Sequence, residues 1–252
     1  MATVEAVRCT GRVLPGWRAA LLVIEERWFW YRRNWRATAI SSLLQPLLLL
    51  AAFGVGFGRL IDVSGHAAQV TGGVSYLVYL APALLVIGAV HTATFESTYP
   101  ILSAFRWQRT YWGVTATPIT PGQLAGGQLT WIALRLLVSG TAYLLVVVLF
   151  GAMRGPGVLA SLVFAVLCGM AFSAPLVAFS AAQENEGTAF IAVFRFVVMP
   201  MTLFSGTFFP ISQLPEVIQP LAWISPLWHG TELARGAVLG TMALWPVVGH
   251  IA

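Results

Sequence analysis

The sequence is 252 residues long, 58% hydrophobic and only 9% charged, with a mean hydropathy of +0.80. Soluble domains carry about 25% charged residues, so this composition excludes an ordinary water-soluble globule and predicts a polytopic, all-α membrane protein. The net charge of +5 comes from arginine alone, because the chain has no lysine, and two cysteines (Cys9, Cys168) are too few for a disulfide framework or a thiolate metal site. No composition break divides the chain, which reads as a single membrane domain over 1–252.

The first element is the segment "WRAALLVIEERWFWYRRNWR", residues 17–36. Trp17, Leu21, Ile24, Trp28, Tyr31 and Trp35 recur at spacings of four and three, with Arg18, Glu25, Arg32 and Arg36 on the other side. That pattern predicts an amphipathic helix lying along the inner leaflet before the chain turns into its first span, with membrane lipids as its partner. Glu25 and Glu26 interrupt the positive run and argue against nucleic acid as a partner. The "MATVEAVRCTGRV" start lacks the apolar core of a secretory signal, so the first span is expected to stay in the mature protein.

Five windows long enough to cross a bilayer follow: Ala37 to Phe57, Tyr76 to Phe95, Leu129 to Phe150, Val158 to Ala182 and Thr188 to Phe209. "GVGFGR", Gly54 to Arg59, sits inside an apolar span and reads as close packing rather than nucleotide binding. A sixth segment begins near Thr241, but as a helix it would rise only ~18 Å, too short to span. Arginines at positions 8, 12, 18, 27, 32, 33, 36, 106 and 109 flank one side, against Arg59, Arg154 and Arg235 on the other, which predicts a cytoplasmic amino terminus.

The chain has no phosphate-cradling G-x-x-x-x-G-K-[ST], which is impossible without lysine, so no ATP hydrolysis is expected by that route. His66, His91, His229 and His250 show no metal-ligand spacing, and no catalytic residue or metal site is assigned. Arg135 and Arg195 stand inside spans, each ~10 Å from the inner end by helix rise. They are expected either to line an inward-opening cavity, to pair with Glu96, Glu184 or Glu186, or to snorkel to the headgroups.

The apolar stretch "FFPISQLPEVIQPLAWISPLWHG", Phe208 to Gly230, carries four prolines. They predict two short helices, the second starting at Ser225 as N-cap and Pro226 in the first turn, within an outer re-entrant hairpin over 208–240.

"ENEGTAFIAVFRFVVMPMTLFSGTFFPISQLPEVIQPLAWISPLWHGTELARG", Glu184 to Gly236, resembles the carboxy-terminal signature of type-2 ATP-binding-cassette exporter permeases. The subgroup it is most similar to contains daunorubicin-resistance-type drug exporters and nodulation-type lipo-oligosaccharide exporters. "RTYWGVTATPITPGQLAGGQ", Arg109 to Gln128, resembles the same family's cytoplasmic segment, where a short coupling helix touches the ATPase. The resemblance implies a six-span permease of the bacterial inner membrane that pairs with a second permease and sits on two cassette ATPase subunits, which bind the ATP and Mg. It implies a coupling region over 100–127 containing Ala116, Thr117, Pro118, Thr120, Pro121 and Gly122. It also places Phe208, Phe209, Pro210 and Pro215 at the turn into the outer hairpin. Drug export is the first expectation, export of a lipid, lipo-oligosaccharide or polysaccharide the second, and a stand-alone carrier or scaffold the rival from another class.

Overall fold

The helix Gly16–Leu49 (α1) sets the length scale of the molecule, a computed structural model that describes residues 13–58, 73–153, 155–184 and 187–241 (of residues 39, 41–43, 55 and 57 the backbone alone). Cys9, Arg8, Arg12, Arg59, His66, Arg154, Glu186, His250 and the short segment beyond Thr241 lie outside the described residues. The turn expected between an interfacial helix and the first span does not occur. From Trp17 to Gln45 no glycine or proline interrupts the backbone, so the helix passes Arg36 unbroken and runs on past Pro46 as a π-type segment, Leu50–Phe57. Its 34 residues rise ~51 Å, well beyond the ~30 Å of a hydrocarbon core. Roughly 20 Å of α1 therefore exceeds the thickness of that core.

Every other described element is also helical, in the order α2 (Tyr76–Ser97), α3 (Tyr99–Leu102), α4 (Thr110–Thr115), α5 (Pro121–Leu149), α6 (Gly157–Ala182), α7 (Thr188–Val193), α8 (Met199–Phe204), α9 (Gln219–Ile224) and α10 (Pro226–Leu239). α2 and α3 continue through a π-type turn to Trp107, and Tyr76–Trp107, Pro121–Leu149 and Gly157–Ala182 are long and apolar enough to cross a membrane. The first and fifth windows are shorter apolar helices, Leu44–Gly54 and Thr188–Phe204. α5 starts well before the expected Leu129 because Thr120 and Gln123 form a reciprocal capping box and Pro121 occupies the first turn. The fifth window stops at Phe204, because Gly206 turns the chain at φ +69° and leaves Phe208 and Phe209 in irregular backbone.

α2 is the axis of the bundle: Leu80, Leu84, Ile87 and Val90 are almost fully enclosed. α1, α5 and α6 surround it, so that one end of the bundle carries Gly16, Trp107, Pro121, Ala182 and Thr188, and the other carries Phe57, Tyr76, Leu149, Gly157 and Phe204. Two further features close the second end. α10 nests between α2 and α6: a Cβ on Gly230 would lie 2.7 Å from Cys168 Cβ and 3.0 Å from Val86, and one on Gly157 would collide with the Ala237 carbonyl. Cys168 lies ~16 Å along α6 from Gly157, so α10 begins deep in the bundle and runs back to its end.

The chain between α8 and α10 returns to that depth without continuous helix, and Arg235 holds it. This guanidinium is 6% exposed and donates to the carbonyls of Tyr79 (3.4 Å), Gly206 (3.2 Å) and Thr207 (3.4 Å) and to Glu232 (2.7 Å), with its carbon 3.7 Å from the Tyr79 ring centroid. Tyr76 Oη donates to the Phe208 carbonyl at 3.0 Å, and the buried Ser205 and Ser225 hydroxyls meet at 2.7 Å. The sequence reading gave Ser225 the capping role; it occupies the N-cap position with extended backbone, but its hydroxyl bonds Ser205 instead.

Replacing Arg235 by alanine leaves buried carbonyls and Glu232 without their donor and should destabilise the detergent-solubilised protein by about 3 kcal/mol. Arg235→Lys should recover only part of this, since an ammonium lacks the planar fork. Thermal unfolding of the three proteins checks it, and an unchanged midpoint for Arg235→Ala would contradict the clamp.

Candidate substrate cavity and coupling surface

A cavity of about 530 Å³ opens between α1, α2 and α5, with Phe194 of the π-type turn after α7 at its edge. It extends along α1 from Glu26 to Leu49 and along the α2–α3 helix from Ile87 to Gln108. The part nearer Gly16 is polar and aromatic, lined by Glu26, Arg27, Trp30, Tyr31, Glu96 and Arg135. The deeper part, lined by Pro46, Leu49, Ile87, Gly88 and Phe194, is apolar.

Arg135 lies on this wall and is 5% exposed, so it does not snorkel. Its Nε donates to Glu96 Oε1 at 3.1 Å, its guanidinium carbon stands 4.5 Å from the Tyr31 centroid, and Trp131 Nε1 donates to the second Glu96 oxygen at 3.4 Å. Glu96, named from sequence as one candidate partner, is the partner. A buried arginine needs this pairing, because an uncompensated charge in an apolar interior is far costlier than a buried, hydrogen-bonded pair. Arg195 goes the other way: it is exposed, and its neighbour Phe194 lines the cavity in its place, so the expectation of two equivalent cavity arginines fails. The two stand on helices of different packing, α5 against α1 and α2, the π-type turn at the periphery.

The stretch proposed to couple is built on the end of the bundle that carries Gly16. The short helix there is α4, Thr110–Thr115, ahead of the residues expected from the family resemblance; Ala116, Thr117 and Pro118 form the turn after it. Thr120 and Pro121 are the N-cap and first residue of α5 itself, and a side chain on Gly122 would point into open space. Arg109, in the left-handed region at φ 55°, turns the chain into α4. α1 locks onto this surface. Leu14 exchanges backbone and side-chain bonds with Pro118 (3.2 Å) and Gln123 (2.7 Å), and Val23 fits against Gly127, where a Cβ would approach within 2.8 Å. Arg27 Nη2 donates to Tyr111 Oη at 2.6 Å, and Tyr111 donates to Gln128 at 3.2 Å. Burial pushes the Tyr111 phenol above its ordinary pKa, and the adjacent Arg27 pulls it partly back. A second, mostly apolar cavity of about 340 Å³ lies between Leu14, Val23, Tyr111, Val114, Pro118 and Leu124.

The face of α1 that packs on the protein is Ala19, Val23 and the half-buried Arg27 and Tyr31. Of the expected aromatic stripe, Trp17, Leu21, Trp28 and Trp35 are exposed and Ile24 and Tyr31 half-buried; Arg18, Glu25, Arg32 and Arg36 on the other side are exposed as well. At the far end, the half-buried Phe208 ring lies 5.1 Å from Phe53; Phe209 is half-buried, Pro210 starts a 3-10 turn (Ile211–Gln213), and Pro215 is exposed. Among the described residues no three His, Cys, Asp or Glu side chains are grouped to hold a metal ion. Sequence reasoning missed three residues. Arg235 was counted only as a loop charge, though its spacings of four and eight from Thr231 and Leu227 put it on the buried face of α10; His91 and Tyr111 carried no motif.

Among the described residues the chain is a bundle of helices, three of them long and apolar enough to cross a membrane, with a lateral cavity between α1, α2 and α5, which is the architecture of a polytopic membrane protein. Residues 19–239 match the ABC-2 type transporter family, and the chain belongs to it. It is therefore a multi-pass inner-membrane permease of an ABC exporter, a family that works with an ATPase partner. The chain is 34% identical to Nodulation protein J of Sinorhizobium fredii over 230 residues, 88% of this chain and 86% of the relative. It is 31% identical to Nodulation protein J of Rhizobium meliloti over 224 residues (85% and 82%), and 33% identical to the probable multidrug ABC transporter permease YbhR of Escherichia coli over 72 residues (26% and 19%).

Glu96→Gln and Arg135→Gln should each lower stability by about 3 kcal/mol by stranding the other partner, while the double variant should lose distinctly less than the sum. A double-mutant cycle from thermal unfolding measures this; strict additivity would mean that the two do not act as a pair.

Proposed function

We propose that this permease exports amphipathic compounds taken from the cytoplasm or inner leaflet, with the cavity between α1, α2 and α5 as its loading site. The observation that carries this is the polarity gradient of the cavity: charged and aromatic near Glu26 and Arg135, apolar at Leu49 and Ile87. An amphiphile matches both parts, with its polar group beside the aromatic rings and its apolar part toward the bilayer interior. The arginine distribution supports placing the Gly16 end in the cytoplasm, which puts α4 and the turn at Ala116–Pro118 against the partner ATPases and the amino-terminal half of α1 at the inner headgroups. α10 and the segment before it then form the outer re-entrant hairpin.

Of the two cargo classes expected from sequence, the likeness to nodulation proteins along most of both chains supports the lipid or lipo-oligosaccharide class, whereas the likeness to a multidrug permease covers 26% of the chain. A second copy or a sibling permease would complete the complex above two ATPases. ATP binding closes the ATPases, and the block that α1 makes with residues 110–128 carries that motion into the cavity wall.

The test is co-purification with a cassette ATPase in nanodiscs and ATP turnover against a panel of amphiphiles. Turnover should rise with glycolipid-like amphiphiles and remain basal with small hydrophilic solutes; a permease that drives uphill movement with an ion gradient and no ATPase would overturn the reading. Thr117→Glu or Gly122→Asp, both placing charge on open surface, should cut stimulated turnover roughly tenfold, as expected for losing about 1.4 kcal/mol of docking, without changing insertion.

A further inference from the structure

The deep, apolar end of the cavity contains one polar cluster. His91, at the middle of the Tyr76–Trp107 helix, lies between Gln45 of α1, whose Nε2 is 3.4 Å from His91 Nδ1, and Thr202 of α8, whose Oγ1 is 3.4 Å from His91 Nε2. The three side chains come from three different helices, and His91 and Gln45 line the cavity beside Pro46, Leu49, Ile87 and Gly88. Polar groups at that depth are costly, and an ionisable one inside a span marks a substrate path more often than a packing device.

The side-chain bonds that join helices range from 2.6 Å for Arg27–Tyr111 and 2.7 Å for Ser97–Ser173 and Ser205–Ser225 to 3.4 Å for Trp131–Glu96 on the same cavity wall. Both His91 contacts are at the far limit of hydrogen-bonding distance. The imidazole is held in place without being tightly satisfied. The charged groups nearer the cytoplasmic end stand in opposite-charge pairs, Glu96 with Arg135 (3.1 Å) and Glu26 with Arg27 (3.3 Å), so among the described lining residues the formal charges balance. What its deep end offers is a neutral donor and acceptor side by side.

We propose that His91, flanked by Gln45 and Thr202, is a specificity-determining contact that reads a neutral hydrogen-bonding group, a hydroxyl or carboxamide, on the membrane-deep end of the transported amphiphile. This rests on the loading site proposed above. A ligand bearing such a group replaces the two long contacts with shorter ones; a ligand ending in bare hydrocarbon leaves them as they are. The discrimination is worth one hydrogen bond, on the order of fivefold in affinity.

The experiment compares an alkyl glucoside with the same glucoside carrying a hydroxyl at the far end of its chain. Binding to the permease in nanodiscs is read from quenching of tryptophan fluorescence, since Trp30, Trp107 and Trp131 line the cavity. The native protein should bind the hydroxylated glucoside on the order of fivefold more tightly. His91→Leu should abolish the preference while keeping the affinity for the plain glucoside, and His91→Gln should retain the preference. Should His91→Leu fail to fold, Gln45→Leu and Thr202→Val carry the test, each expected to reduce the preference. An unchanged preference in the leucine variant, or equal weakening of both glucosides, overturns the inference and makes His91 a packing group. Failure of both glucosides to bind the native protein defeats the loading site and this inference with it, whereas loss of ATP coupling leaves the binding ratio intact.

Discussion

A membrane protein cannot leave backbone carbonyls facing hydrocarbon, and this chain breaks its helical order at Gly206, where it turns from the far end of the bundle back toward its interior. The break is survivable because Arg235 sits within it. One guanidinium bonds three carbonyls from two separate stretches, Tyr79 at the start of α2 and Gly206 and Thr207 after α8, while Glu232 balances its charge. A fork of five donors is the side chain suited to this, and its stacking on Tyr79 shields it from the apolar surroundings. α10 can then lie against α2 and α6, with Gly157 and Gly230 allowing the close approach. The far end of the bundle is thereby closed, and the cavity has its opening elsewhere, along α1.

The opposite end follows a different logic. There the backbone is regular, and rigidity comes from side chains that join α1 to α4 and α5: the Arg27–Tyr111–Gln128 chain, the fit of Val23 on Gly127, and the bonds of Leu14 to Pro118 and Gln123. α1 belongs both to this block and to the cavity wall, because it is one helix without a break. A push on the turn at Ala116–Pro118 therefore reaches Tyr31 and Arg135 through packed side chains and a continuous rod, with no flexible joint between. The unbroken α1 that overturned the sequence expectation is what gives this proposed linkage its stiffness.

Much of this was legible before any coordinates. Hydropathy located the apolar bodies of α2, α5 and α6, since long apolar runs have a single stable answer in a bilayer, but it missed the first two turns of α5, Pro121 to Gln128, which capping rather than hydropathy makes helical. Prolines foretold two short helices and placed the start of the second at Pro226, because a ring without N–H belongs in the first turn; the first, at Gln219, was not located. The junction of interfacial helix and first span was misread, for charge pattern shows where a helix leaves the hydrocarbon but not whether it bends. Glu96 was named as one of three partners for Arg135; only packing selected among them. Arg195 looked equivalent by depth, yet depth along a helix says nothing of which way the residue faces. Tyr111 and His91 depend on contacts between residues 84, 46 and 111 positions apart, which no local spacing encodes.

Closure of the far end of the bundle depends on the depth at which α10 begins. Spin labels placed singly at Ile224, just before α10, and at Leu149, the end of α5, are both strongly exposed and report their surroundings through collision with oxygen and with a water-soluble nickel chelate. In a bilayer, the Ile224 label should be the deeper of the two, favouring oxygen over nickel, and Arg235→Ala should shift it toward water. A label at Ile224 that meets nickel as freely as the one at Leu149 would place the segment outside the membrane and contradict the account.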